Sequence, residues 1–168
     1  PVSADLRRGI VGRLSCLPRV RVVPLDPALT VLPPDGDPDV ARILHIVCHG
    51  RRAAHGVVLE RLAGASSASS VARSLGGLLA SVQIVVLDVC AASAALPEPS
   101  TEVPAAHLAS LGVPACIGPQ LELTPAAALA FSDGFYSAIV EGSTVAAAVA
   151  EGRRRVGALD YPHPSGRW

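Results

Sequence analysis

Two residues in this sequence have the chemistry of a nucleophile and its base. Cys90 closes the run Ile84-Val85-Val86-Leu87-Asp88-Val89-Cys90 and is followed by the small residues Ala91, Ala92 and Ser93. His49 follows Ile43-Leu44-His45-Ile46-Val47-Cys48 and is itself followed by Gly50. A cysteine is nucleophilic as its thiolate, and an unperturbed thiol is mostly protonated at neutral pH. An imidazole within hydrogen-bond reach takes that proton and later returns it to a leaving amine. The oxyanion that forms when a thiolate attacks an acyl carbon needs backbone donors. Gly50, with no side chain to obstruct approach, and the amide of Cys90 itself are the candidates. No third member is evident: His45 and Cys48 alternate along their strand, but spacing alone does not say which face each takes.

A cysteine at the end of an apolar strand is ordinarily a packing residue. The pairing is what sets Cys90 apart, since two runs each end in a reactive residue followed by small ones. Cys16, Cys48 and Cys116 read as core residues, and His107 and His163 are given no role. Arg153-Arg154-Arg155 reads as a solvated helix end, where cations suit the helix dipole.

The elements that must position the pair follow from periodicity. Short unbroken apolar runs such as 84–87 suit strands buried on both faces. In an open α/β sheet, chemistry gathers beyond the carboxyl ends of the strands. Residues 4–14 carry Leu6, Ile10, Val11 and Leu14 at helical spacing, with Ser3 as a cap and Pro18 beyond the end. Residues 20–23 read as a short strand and 24–38 as a proline- and aspartate-rich connection. The strand at 43–48 delivers His49, a turn spans 50–55, and 56–60 returns as a hairpin strand. Residues 63–70 form a small-residue loop without structure of its own, and 71–79 a helix. After Cys90, residues 91–103 are a surface loop containing Pro97 and Pro99. A helix at 105–111 ends at Gly112, a strand follows at 113–118, and Thr124-Pro125 opens a helix at 126–140. A last helix runs over 144–156. Strands alternating with helices predict an α/β fold, a mostly parallel central sheet with helices on both faces.

The bulk composition narrows the function classes. At 168 residues, half of them hydrophobic, the chain is long enough to bury one aliphatic core as a single domain. All fourteen basic residues are arginine, the net charge is zero, and aromatics make up only 3%. No basic surface interleaved with aromatics is present, which argues against nucleic acid as a partner. The four cysteines form no CxxC pair, so neither a zinc site nor a disulfide framework is indicated, and no metal or cofactor is expected. No apolar run approaches the roughly 20 residues of a membrane span, and nothing at the start resembles a signal peptide. A reducing cytoplasm is the expected location. The absence of Lys, Asn and Met beside abundant Ala, Gly, Arg and Pro suggests a GC-rich bacterial genome.

The segments His45-Ile-Val-Cys-His49-Gly50, Gly56-Val-Val-Leu-Glu60 and Val85-Val-Leu-Asp-Val-Cys90-Ala-Ala-Ser93 together resemble the CHAT family. These are caspase-like domains of the wider caspase, metacaspase, separase and gingipain group. Leu111-Gly-Val-Pro-Ala-Cys-Ile-Gly-Pro-Gln120 looks like the strand after the nucleophile in that family, and 131–136 with 146–155 like its terminal helices. The resemblance implies a caspase-like three-layer sandwich and a His49–Cys90 dyad that hydrolyses peptide bonds, with the amides of Gly50 and Cys90 as oxyanion hole. It also implies a specificity role for Asp88, which matches the pocket acid of metacaspase-like members and would favour cleavage after Arg or Lys. Many family members carry a small residue there, so a purely structural acid is the alternative. Glu122 is a second candidate for the pocket. Two departures stand out: the outer strands that usually open and close such domains are missing, and Leu121 stands near the place of the usual tryptophan. A fragment of a longer multidomain protein is one explanation.

The leading expectation is a cysteine endopeptidase acting on a protein or peptide, an effector module in bacterial signalling or defence. Other domains or subunits would sense its trigger. The alternative is a catalytically silent caspase-like protein-interaction domain, against which the intact His–Cys pair counts. An unrelated α/β hydrolase ranks third, because the sequence has no G-x-S-x-G elbow.

Overall fold

The computed structural model describes residues 2–23, 40–53, 56–60, 66–67, 79–90, 104–119 and 124–159. The expected connection at 24–38, most of the helix at 71–79, the loop at 91–103 and the candidate Glu122 lie outside the described residues. The chain forms two compact units, one of Leu25–Leu123 and one of Pro1–Pro24 with Thr124–Trp168.

The first unit is built on a five-stranded sheet. Its strands are β1 (Ile43–Ala53), β2 (Gly56–Glu60), β3 (Ser66–Ser67), β4 (Ile84–Cys90) and β5 (Ala115–Ile117), in spatial order β3-β2-β1-β4-β5. β1, β4 and β5 run parallel, while on the β1 side β2 pairs antiparallel with β1 and β3 antiparallel with β2. This is an α/β arrangement with a mixed sheet. Val85, Val86 and Leu87 of β4 are almost completely buried. Each contributes roughly 1.5–3 kcal/mol by leaving water, which is why so short a run stays in the middle of the sheet. One face packs Leu44, Ile46, Cys48, Val85 and Leu87 against Leu79, Val82, Leu108 and Val113. Leu108 lies on the short helix Pro104–Ser110, which is followed by Gly112 at φ +93°. That left-handed conformation is the one a helix C-terminus commonly assigns to glycine.

The second unit contains α1 (Val2–Ser15), α3 (Pro125–Val140) and α4 (Val145–Gly157), the helix Pro104–Ser110 being α2. Leu6, Ile10 and Leu14 recur every fourth residue and form the buried stripe of α1. Thr124 and Thr144 cap α3 and α4, their hydroxyls accepting the Ala127 and Ala147 amides at 3.2 and 3.3 Å. α3 and α4 meet at glycines: a Cβ on Gly134 would lie 2.9 Å from the Glu151 carbonyl oxygen. Arg155 bridges Asp133 and Glu151, and Arg154 also bonds Glu151. Bonds from Arg154 and then Arg155 push the Glu151 carboxyl down to about 2, so its contribution is in place above the ordinary carboxylate range and fades only as pH falls toward that value.

Several expectations are corrected. Residues 20–23 form no strand; Arg21 and Val23 are exposed, and Arg19 just before them turns the chain at φ +63°. Cys16, expected in the core, is exposed because it lies two residues past Leu14, beyond the buried stripe. Residues 66–67, expected in an unstructured loop, pair with β2. Arg153 and Arg154 are exposed near the end of α4, as a solvated helix end requires, and Arg154 and Arg155 in addition bind carboxylates of their own unit.

The glycines give a paired test. Gly12→Ala, in an exposed helical position with open space, should stabilise the protein by about 1 kcal/mol through helix propensity. Gly134→Ala gains the same propensity but must push backbone apart, so a net loss of about 1–2 kcal/mol is expected in urea unfolding. Equal effects of the two substitutions would contradict the close crossing.

Candidate functional site

β4 is buried on both faces, yet its fifth residue is an acid. Asp88 is 3% exposed. A buried carboxylate without a partner is costly enough that one is required. The partner is His45 of β1, whose Nε2 lies 2.8 Å from Asp88 Oδ2. With Asp88 as a carboxylate, which only accepts, the donor in this bond is Nε2–H of His45. In the ladder His45 is the partner of Val86, so Asp88 is its diagonal neighbour, one step further along the same face. The pair therefore clasps two parallel strands from the side opposite the aliphatic core.

This bond also settles the faces. Alternate residues of a strand share a side, so positions 45, 47, 49 and 51 of β1 lie on one face with positions 84, 86, 88 and 90 of β4. Leu44, Ile46 and Cys48 take the apolar face with Val85 and Leu87. The open question of His45 and Cys48 is thereby answered: His45 shares the face of positions 49 and 90, and Cys48 belongs to the core.

Positions 49 and 90 are Cα partners, the last pair of the parallel β1–β4 ladder. β1 does not stop there. From the sequence alone the strand ends before His49 and a turn spans 50–55, whereas β1 continues to Ala53 and pairs with β2. The continuation follows from the hairpin, since β2 supplies ladder partners for residues 49–53. What ends at this level is β4. His49 is consequently flanked on both sides, by Cys90 on β4 and by Glu60 on β2, its Cα partner in the antiparallel ladder. Gly50, the expected oxyanion donor beside Cys90, is the Cα partner of Leu59 in the β1–β2 ladder, one residue past His49.

Glu60 was missed by sequence reasoning. A hairpin pairing Ala53 with Gly56 fixes the register, and counting back along both strands brings Glu60 opposite His49. Of the other cysteines in this unit, Cys48 is buried in the core, and burial pushes the Cys116 thiol up. Neither has the setting of a nucleophile. Among the described residues no three His, Cys, Asp or Glu side chains assemble as a metal site, and no helix is long and apolar enough to cross a membrane.

The clasp is tested by Asp88→Ala and His45→Ala. Each should destabilise the chain by about 2–4 kcal/mol, because each removes one end of a hydrogen bond largely shielded from water. The double variant should lose clearly less than both losses added together, giving a coupling of at least about 1 kcal/mol in a denaturation cycle. Additive losses would mean the two side chains do not act on each other. Compared with protein-family models, with curated proteins and with solved structures, this chain matches none.

Proposed function

We propose that the chain is a cysteine peptidase of the caspase-like CHAT type, with Cys90 as nucleophile and His49 as its base. The observation that carries this reading is the Cα pairing of positions 49 and 90 on adjacent parallel strands, at the level where β4 ends. The α/β sheet with a hairpin strand beside the histidine strand supports it, as does the motif resemblance. In this reading the fold is a three-layer sandwich with helices on both faces of the sheet.

The chemistry is acyl transfer in two halves. The imidazole of His49 takes the thiol proton, and the thiolate attacks the acyl carbon of the peptide bond. The amides of Gly50 and Cys90 stabilise the oxyanion. Collapse of that intermediate breaks the C–N bond, and the imidazolium gives its proton to the departing amine. Water then attacks the thioester with His49 again as base, releasing the acid and restoring the thiol. The substrate is a protein or peptide, and the domain works as an effector beside partners that sense a trigger.

Asp88 bears on specificity. Its burial and its bond to His45 favour the clasp over an open pocket acid, so preference for Arg or Lys is the part of this reading that substrate comparison decides.

Peptidyl acyloxymethyl ketones ending in Arg, Lys or Leu test the proposal. Cys90 should be labelled at least about 100-fold faster than the exposed Cys16 in the same molecule, and His49→Ala should abolish that difference. Unchanged labelling of Cys90 in His49→Ala would sink the dyad. Faster reaction of the Arg and Lys reagents would assign the pocket acid, and equal rates would assign Asp88 to the clasp alone.

A further inference from the structure

The ladders place three residues of complementary chemistry in one row across three strands: Cys90 on β4, His49 on β1 and Glu60 on β2. We propose that Glu60 is a positioning residue for the dyad, holding a negative charge beside His49 so that the imidazolium, and with it the Cys90 thiolate, is favoured. The inference rests on the proposed dyad and adds a third member that the dyad alone does not require.

Distance decides the sign of the effect. Neighbouring strands are about 4.8 Å apart, so position 60 lies one strand spacing from position 49 and two, roughly 10 Å, from position 90. Coulomb energy falls with separation, and solvent screens the longer path more. Attraction to the imidazolium therefore outweighs repulsion of the thiolate. Among the described positions of the sheet, those that share the face of position 49 and carry a titratable or charged residue are 88 and 90 of β4 (Asp88, Cys90), 60 of β2 (Glu60), and 45 and 51 of β1 (His45, Arg51). Asp88 and His45 are bonded to each other. Arg51, one same-face step beyond His49, is cationic and opposes the imidazolium, which leaves Glu60 as the acid at the level of the dyad.

The test is the pH profile of Cys90 alkylation by iodoacetamide in the full chain, read by mass spectrometry of the Cys90 peptide. The reagent forms an S–C bond with the thiolate and releases iodide, so its rate follows the thiolate fraction. In Glu60→Gln the onset of reactivity should move up by about one pH unit, roughly a tenfold loss at pH 6, with near-parental rates above pH 9. Glu60→Asp, with the carboxylate drawn back by one methylene, should fall between the two. A merely structural role would lower the rate at every pH or not at all, and either result would overturn the inference. Should Glu60→Gln fail to fold, a Glu60→Asp profile identical to the parent would overturn it equally. His49→Ala separates the two readings. If it leaves the profile unchanged, the dyad itself fails; if it flattens the acid side while Glu60→Gln does not, only the role of Glu60 fails.

Discussion

The parallel register between β1 and β4 is the constraint on which the rest of this structure depends. Side chains alternate with a period of two, so a slip of one residue would exchange the faces of a whole strand. In the observed register Leu44, Ile46 and Cys48 enter the aliphatic core with Val85 and Leu87, and His45 finds Asp88. After a one-residue slip of β1, the apolar set would face the buried carboxylate and the imidazole would enter hydrocarbon. Both penalties are large, and both are avoided by a single alignment. That same alignment makes positions 49 and 90 partners.

The buried His45–Asp88 pair is better understood as a specifier than as a source of stability. Removing two polar groups from water costs about what their mutual bond returns, and well-packed apolar residues could fill the same space at no loss. Apolar residues would not, however, distinguish one alignment of two valine- and isoleucine-rich strands from the next. A polar pair that is satisfied only in one register does. Its place, two residues before Cys90 and four before His49, sets that discrimination next to the end of the ladder.

Much of this was legible in the sequence, for definite reasons. The apolar run 84–87 could only be a buried strand, and the four-residue repeat of Leu6, Ile10 and Leu14 could only be one face of a helix. The parallel sense of the strands followed from their alternation with helices. The end of β1 was misread because His49-Gly50 looks like a strand terminus when a single strand is considered, and a strand terminus is a property of its neighbours. β2 carries β1 four residues past His49, to Ala53. The face of His45 was unreadable for a related reason: alternation gives relative sides, and only a contact across strands gives the absolute one. Glu60 passed unnoticed because its relation to His49 exists only once the hairpin is closed.

Disulfide trapping measures the central alignment most directly. His49→Cys should cross-link to Cys90 under mild oxidation, since adjacent ladder partners fall within the 4.4–6.8 Å Cα separation, roughly, that a disulfide spans. Gly50→Cys, one residue along on the opposite face, should not. Peptide mapping that finds the 49–90 link and no 50–90 link is the result this account predicts. A link from position 50, or free thiols at both 49 and 90, would contradict it.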